Sequence, residues 1–159
     1  MNNRRAFEAL SFAVALACFV WAAFAYATLP ETISAHFNIT GAADARGPKL
    51  IVWAGALFDG FMFLFLGAMQ LVPPRFTNFP VAVTESNRER LYGIQREMLG
   101  AMKLAAMLTG LALEWGIVAS AQRSELDPLF LPLMLAALGA NVVVSLYYIL
   151  EMFKAAPRA

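Results

Sequence analysis

A chain of 159 residues has room for one domain, and a content of 60% hydrophobic against 14% charged residues places that domain in lipid, since soluble domains carry roughly 25% charged residues. The formal net charge of +1 gives no basic footprint for nucleic acid. A single cysteine, Cys18, set in an apolar run, excludes an intrachain disulfide and a cysteine metal cluster and reads as a small packing or lipid-facing residue.

The first apolar run, 6–29, follows Arg4-Arg5 and is broken only by Glu8, Ser11 and Thr28. Ala25-Tyr26-Ala27 looks like a signal-peptidase site and Arg4-Arg5-Ala6-Phe7 partly like a twin-arginine signal. The run is longer than a signal core of ~7 to 15 residues and close to the ~20 that cross hydrocarbon as a helix, so a retained span is expected.

Next comes the one long polar interruption of the first half, 30–49. Pro30 and Pro48 limit helix at its ends, because proline lacks the amide donor and turns its predecessor away from the α region. An ordered loop is expected, with turns at Gly41 and Gly47 and with His36, the only histidine, near the helix mouths. His36 with Glu31, Asn38 and Asp44 is a candidate metal or proton-handling group, since imidazole and carboxylates suit divalent ions. The plainer alternative has Asn38 and Asp44 bonding turn amides, with His36 and Phe37 folded onto the mouth of a helix bundle. Phe37 and Lys49 complete the candidate binding residues of this loop.

The second run, 50–72, carries Asp59 and stops at Pro73-Pro74. The charged segment 73–97 follows, extended around Asn78-Phe79-Pro80. Ser86 and Glu89 fit a capping box for a helix that starts near Asn87 and continues into a third span, 98–120, with Leu91, Ile94, Met98 and Met102 on one face. The mixed charges of 84–96 read as a solvated helix face, or as a docking surface for anionic lipid or a cytoplasmic protein. After a polar turn at 122–127, a fourth span covers 129–152.

An ionised group at the centre of a span costs about 2.5 to 3.5 kcal/mol on insertion scales and needs a partner. At ~1.5 Å per residue, Asp59 lies about 14 Å and Glu114 about 9 Å from their outer ends, with Asn141 about 18 Å deep, so the three are expected as one intramembrane polar cluster that locks the bundle or holds an ion. Lys103, about 8 Å from its inner end by the same count, is expected to snorkel. No phosphate-binding glycine loop, zinc motif or nucleophile elbow occurs, so conventional soluble-enzyme chemistry has no positive support and no cofactor is expected; a membrane enzyme with His36 at an outer active site is the third class of reading.

Charge sets orientation, because Lys and Arg collect on the cytoplasmic side. With both termini inside, the inner side holds eight (Arg4, Arg5, Arg75, Arg88, Arg90, Arg96, Lys154, Arg158) and the outer side three (Arg46, Lys49, Arg123). The expected architecture is an all-α membrane protein of four transmembrane helices in an up-down bundle, with the 30–49 loop outside and 73–97 in the cytoplasm. Ala56 and Gly60, Ala101 and Ala105, and Ala112 and Gly116 are small pairs that would allow close helix approach.

Leu29-Pro30, His36-Phe37-Asn38, Gly41, Asp44, Gly47 and Lys49 resemble, in order and spacing, a bacterial membrane family of unknown function found at the N-terminal end of Sdp-type immunity proteins. Ala43 stands where that family commonly has proline, and Pro48 where it has a small polar residue. The resemblance covers about a third of the chain. It implies a bacterial inner-membrane protein, non-enzymatic, with recognition or protection at the membrane as its role. The partners implied are the lipid bilayer and an extracytoplasmic peptide or another membrane protein, a second copy of the chain included. A small transporter or ion-handling subunit using Asp59 and Glu114 is the alternative.

Overall fold

The computed structural model describes residues 3–157; Arg158, counted above on the inner side, lies outside them. The chain is mostly helical, and four helices are long and apolar enough to cross a membrane. They are α1 (Asn3–Thr28), α2 (Ala54–Leu71, entered through the 3-10 turn Lys49–Trp53), α3 (Arg88–Ser120) and α4 (Phe130–Lys154).

Between α1 and α2 the expectation of an all-α chain needs correction. The polar stretch folds as an antiparallel hairpin of β1 (Thr32–Phe37) and β2 (Ala43–Pro48). Its register runs Thr32↔Pro48, Ile33↔Gly47 and Ser34↔Arg46, then slips to His36↔Ala45 and Phe37↔Ala43, so Ala35 and Asp44 stand as extra residues on their strands. Gly41 supplies the turn, at φ +85. Gly47 does not turn. It lies in β2, where a Cβ would come within 2.9 Å of both the Ala35 and Ile51 side chains, so its hydrogen serves close packing.

α3 is the axis of the molecule and packs on each of the other three helices. Its buried positions are mostly small (Gly100, Ala101, Ala105, Ala106, Gly110, Gly116), which lets neighbouring side chains or backbones approach its own backbone. Phe7 of α1 lies over Gly100, Asp59 of α2 over Gly110 and Phe130 of α4 over Gly116. Without water between apolar helices, such close van der Waals packing, not burial of greasy surface, brings them together. The large apolar residues accordingly point outward: Phe12, Leu16, Val20 and Phe24 on α1, and Leu131, Leu135, Leu138 and Val142 on α4, are exposed on the surface that lipid tails would cover.

The ends of the bundle are closed differently. At one end Ile33 of the hairpin is buried with Ala25, Val52 and Ala121. At the other, Leu91, Met152 and Ala155 are buried under Phe79 and Val81 of the 73–87 connection. The expected Ser86–Glu89 capping box does not form. Asn87 takes the cap position, and its amide donates to the Ala82 and Ala155 carbonyls at 2.9 and 3.1 Å while its Oδ1 accepts from the Thr84 amide at 2.8 Å. The residue that starts the helix is thereby spent on tying the connection to the end of α4.

Candidate functional site

The hairpin is fixed to the bundle by backbone hydrogen bonds, which need no particular side chains and so leave little trace in sequence. Ser34 donates from its amide to the Ala121 carbonyl at 2.9 Å and from Oγ to the Arg123 carbonyl at 2.7 Å. The Ala43 amide bonds the Ser124 carbonyl at 2.7 Å, and the Leu126 amide returns a bond to Gly41 at 2.8 Å. The α3–α4 connection thus acts as a third, irregular strand beside the hairpin. Lys49 pairs with Glu31 at 3.0 Å across the hairpin base and lies 4.7 Å from the centre of the Tyr26 ring. Arg46 bonds the Thr32 carbonyl at 3.0 Å.

Within this frame the candidate loop residues separate. Asn38 Oδ1 accepts from the Thr40 amide, the Thr40 hydroxyl and the Ala42 amide, at 3.0, 2.7 and 3.0 Å, which builds the turn. Glu31 is engaged by Lys49. His36 Nδ1 pairs with Asp44 Oδ1, and no group of three or more metal-ligating side chains exists among the described residues. His36 is 69% exposed rather than tucked against the helix mouths. Phe37 does face the bundle, against Ile117, Leu126 and Phe130 over a small cavity of about 150 Å³. At the tip, Ile39 is fully exposed at 103% of its reference surface.

Inside the bundle, Asp59 and Glu114 both lie fully buried at the α2–α3 contact. A Cβ on Gly110 would sit 1.9 Å from Asp59 Oδ1, and one on Gly55 would sit 2.6 Å from Glu114 Cβ. The two helices therefore run in opposite directions here and interlock through paired motifs, Gly55-x-x-x-Asp59 against Gly110-x-x-x-Glu114. Each acidic side chain occupies the space left by the other helix's glycine. The amides of Gly55 and Ala56, in the first turn of α2, lie near the Glu114 carboxyl, and the Cys18 thiol of α1 lies near Asp59. None of the four carboxylate oxygens makes a hydrogen bond of regular geometry.

Asn141 does not join them. Its amide donates to Thr109 Oγ1 at 2.9 Å and to the Ala137 and Ala105 carbonyls at 2.9 and 3.3 Å, so it fastens α4 to another face of α3. Lys103 does not snorkel either. Only 2% exposed, its ammonium pairs with Glu8 of α1 at 2.8 Å, approaches Gln70 Oε1 of α2 at 3.4 Å and lies 4.7 Å from the Phe63 ring centre. Three helices are joined at that one cation. The residues that sequence reasoning missed are Gly55 and Gly110: a glycine in an apolar helix gives no sign of which side chain will fill the space above it; Cys18, read as a packing or lipid-facing residue, is buried with Ala22 and Ala56.

Against known families, residues 13–58 match one described as a domain of unknown function (DUF1648). The match takes in most of α1, the whole hairpin and the start of α2 as far as Phe58. No curated protein and no solved structure matches the chain.

Proposed function

We propose that this chain is a non-enzymatic protein of a bacterial inner membrane that recognises an extracytoplasmic peptide, or another membrane protein, through its hairpin, in the manner the Sdp-immunity resemblance implies. Its four helices form an up-down bundle with both termini in the cytoplasm and the hairpin outside, an orientation supported by the eight-to-three division of Lys and Arg. The observation that carries the reading is the way the hairpin is held. Backbone bonds to Ala121, Ser124 and Leu126 fix it to the bundle, while Ile39, His36 and Asp44 project from it unburied. A surface ordered before it meets its partner avoids the cost of ordering on binding. The stretch with family likeness also centres on the hairpin and ends before Asp59.

A second reading, ion or proton handling at Asp59 and Glu114, is favoured by one observation: four buried carboxylate oxygens with no hydrogen-bond partner. Both readings meet in one experiment. Sensitive bacteria expressing the chain are challenged with an Sdp-type peptide toxin, and survival is scored for Ile39→Asp, His36→Ala and Asp59→Asn. Recognition predicts protection that the hairpin variants lose and Asp59→Asn keeps. The opposite pattern selects ion handling, and no protection by the unaltered chain overturns the immunity-type role.

A further inference from the structure

At the end of the bundle away from the hairpin, three arginines converge on one cleft of about 590 Å³, within the range of ligand pockets. Arg88, Tyr92 and Arg96 stand at successive turns of α3 and so share one face of it. Arg75 comes from the facing wall, on the short turn Pro74–Phe76, with its guanidinium carbon 4.8 Å from the Phe76 ring centre. Phe79 stacks on Tyr92 at 5.8 Å between ring centres, which holds the connection against the helix and keeps the two walls in register.

The cleft is electrostatically one-sided. No ion pair among the described residues involves Arg75, Arg88 or Arg96, and no carboxylate lines the space. Glu89 and Glu97 follow Arg88 and Arg96 by one residue, and are therefore turned about 100° away from the stripe. Uncompensated like charges around a concave wall focus the field on an anion. Guanidinium supplies planar, paired donors, the geometry that phosphate oxygens accept.

Depth selects the source of that phosphate. The apolar part of α2 ends at Leu71, and the cleft opens directly after it, at the level where bilayer headgroups lie. Pro73, Phe79 and Tyr92 give the cleft apolar walls suited to the glycerol and upper acyl carbons below a headgroup. We infer that the cleft of Arg75, Arg88 and Arg96 binds the phosphate of an anionic lipid headgroup.

Native mass spectrometry of the full chain in detergent, with phosphatidylglycerol, phosphatidylcholine or sodium phosphate added, tests it. The unaltered chain retains phosphatidylglycerol about tenfold better than phosphatidylcholine. Arg75→Gln, Arg88→Gln and Arg96→Gln each reduce that preference several-fold, the triple variant loses it, and Arg90→Gln, off the cleft, keeps it. The single variants carry the test should the triple variant not fold. Equal retention of the two lipids by the unaltered chain, or a preference that survives all three single substitutions, overturns the site. Displacement of phosphatidylglycerol by millimolar sodium phosphate would make it a free-phosphate site and overturn the lipid assignment.

Discussion

Asp59 was visible as a charge in an apolar run; what it faces was not. Depth along a helix follows from counting residues, but the direction a side chain takes around the helix depends on how the helices dock. Hence Asn141, which the count placed at a level with the carboxylates, lies against a different face of α3. The glycine lock has a direct consequence. Gly110→Ala places a methyl 1.9 Å from Asp59 Oδ1, and overpacking of this kind costs about 1–3 kcal/mol. The melting midpoint in detergent is expected to fall for Gly110→Ala and for Asp59→Leu, which is larger than the space over Gly110, and to hold for the isosteric Asp59→Asn. A midpoint unchanged by Gly110→Ala would mean that the two helices are not in contact there. Lys103→Met should likewise lower the midpoint, through a loss of about 1–3 kcal/mol of stability, because Glu8 loses its partner in a largely apolar setting; adding Glu8→Gln should restore part of the loss. A loss in the double variant equal to the sum of the losses in Lys103→Met and Glu8→Gln alone would show that the pair is not coupled.

Among the elements, the four helices could be read from run length, since a helix of about 20 apolar residues satisfies all of its own backbone across hydrocarbon. The hairpin could not. Thr-Ile-Ser-Ala-His-Phe and Ala-Asp-Ala-Arg-Gly-Pro are short and show no sustained alternation; they pair with each other, and the hairpin is held by bonds to residues about 80 to 90 positions later. Local signals at α3 misled for a related reason: Ser86 and Glu89 have capping-box spacing, yet Asn87 is drawn to the carbonyl of Ala155. The hairpin turn should be its weak point. Gly41 at φ +85 lies in a region that costs an ordinary L-residue about 1–2 kcal/mol. Gly41→Val should speed amide exchange at Ala42, Ala43 and Leu126 while leaving α3 protected; unchanged exchange would show that the tip is not under this constraint.

For the molecule as a whole, the inward-facing small residues of α3 and the outward-facing large residues of α1 and α4 suit a bundle that lipid would solvate, closed at one end by an ordered hairpin and at the other by an arginine-lined connection. Which end faces out decides whether the hairpin can meet an external partner at all. In a background with Cys18→Ala, single cysteines at Thr40 and Ser86, both exposed, are labelled with a membrane-impermeant thiol reagent added to intact cells. Reaction at position 40 and none at 86 until the membrane is opened is the predicted result. Reaction at 86 with protection at 40 would put the hairpin in the cytoplasm and contradict the recognition role.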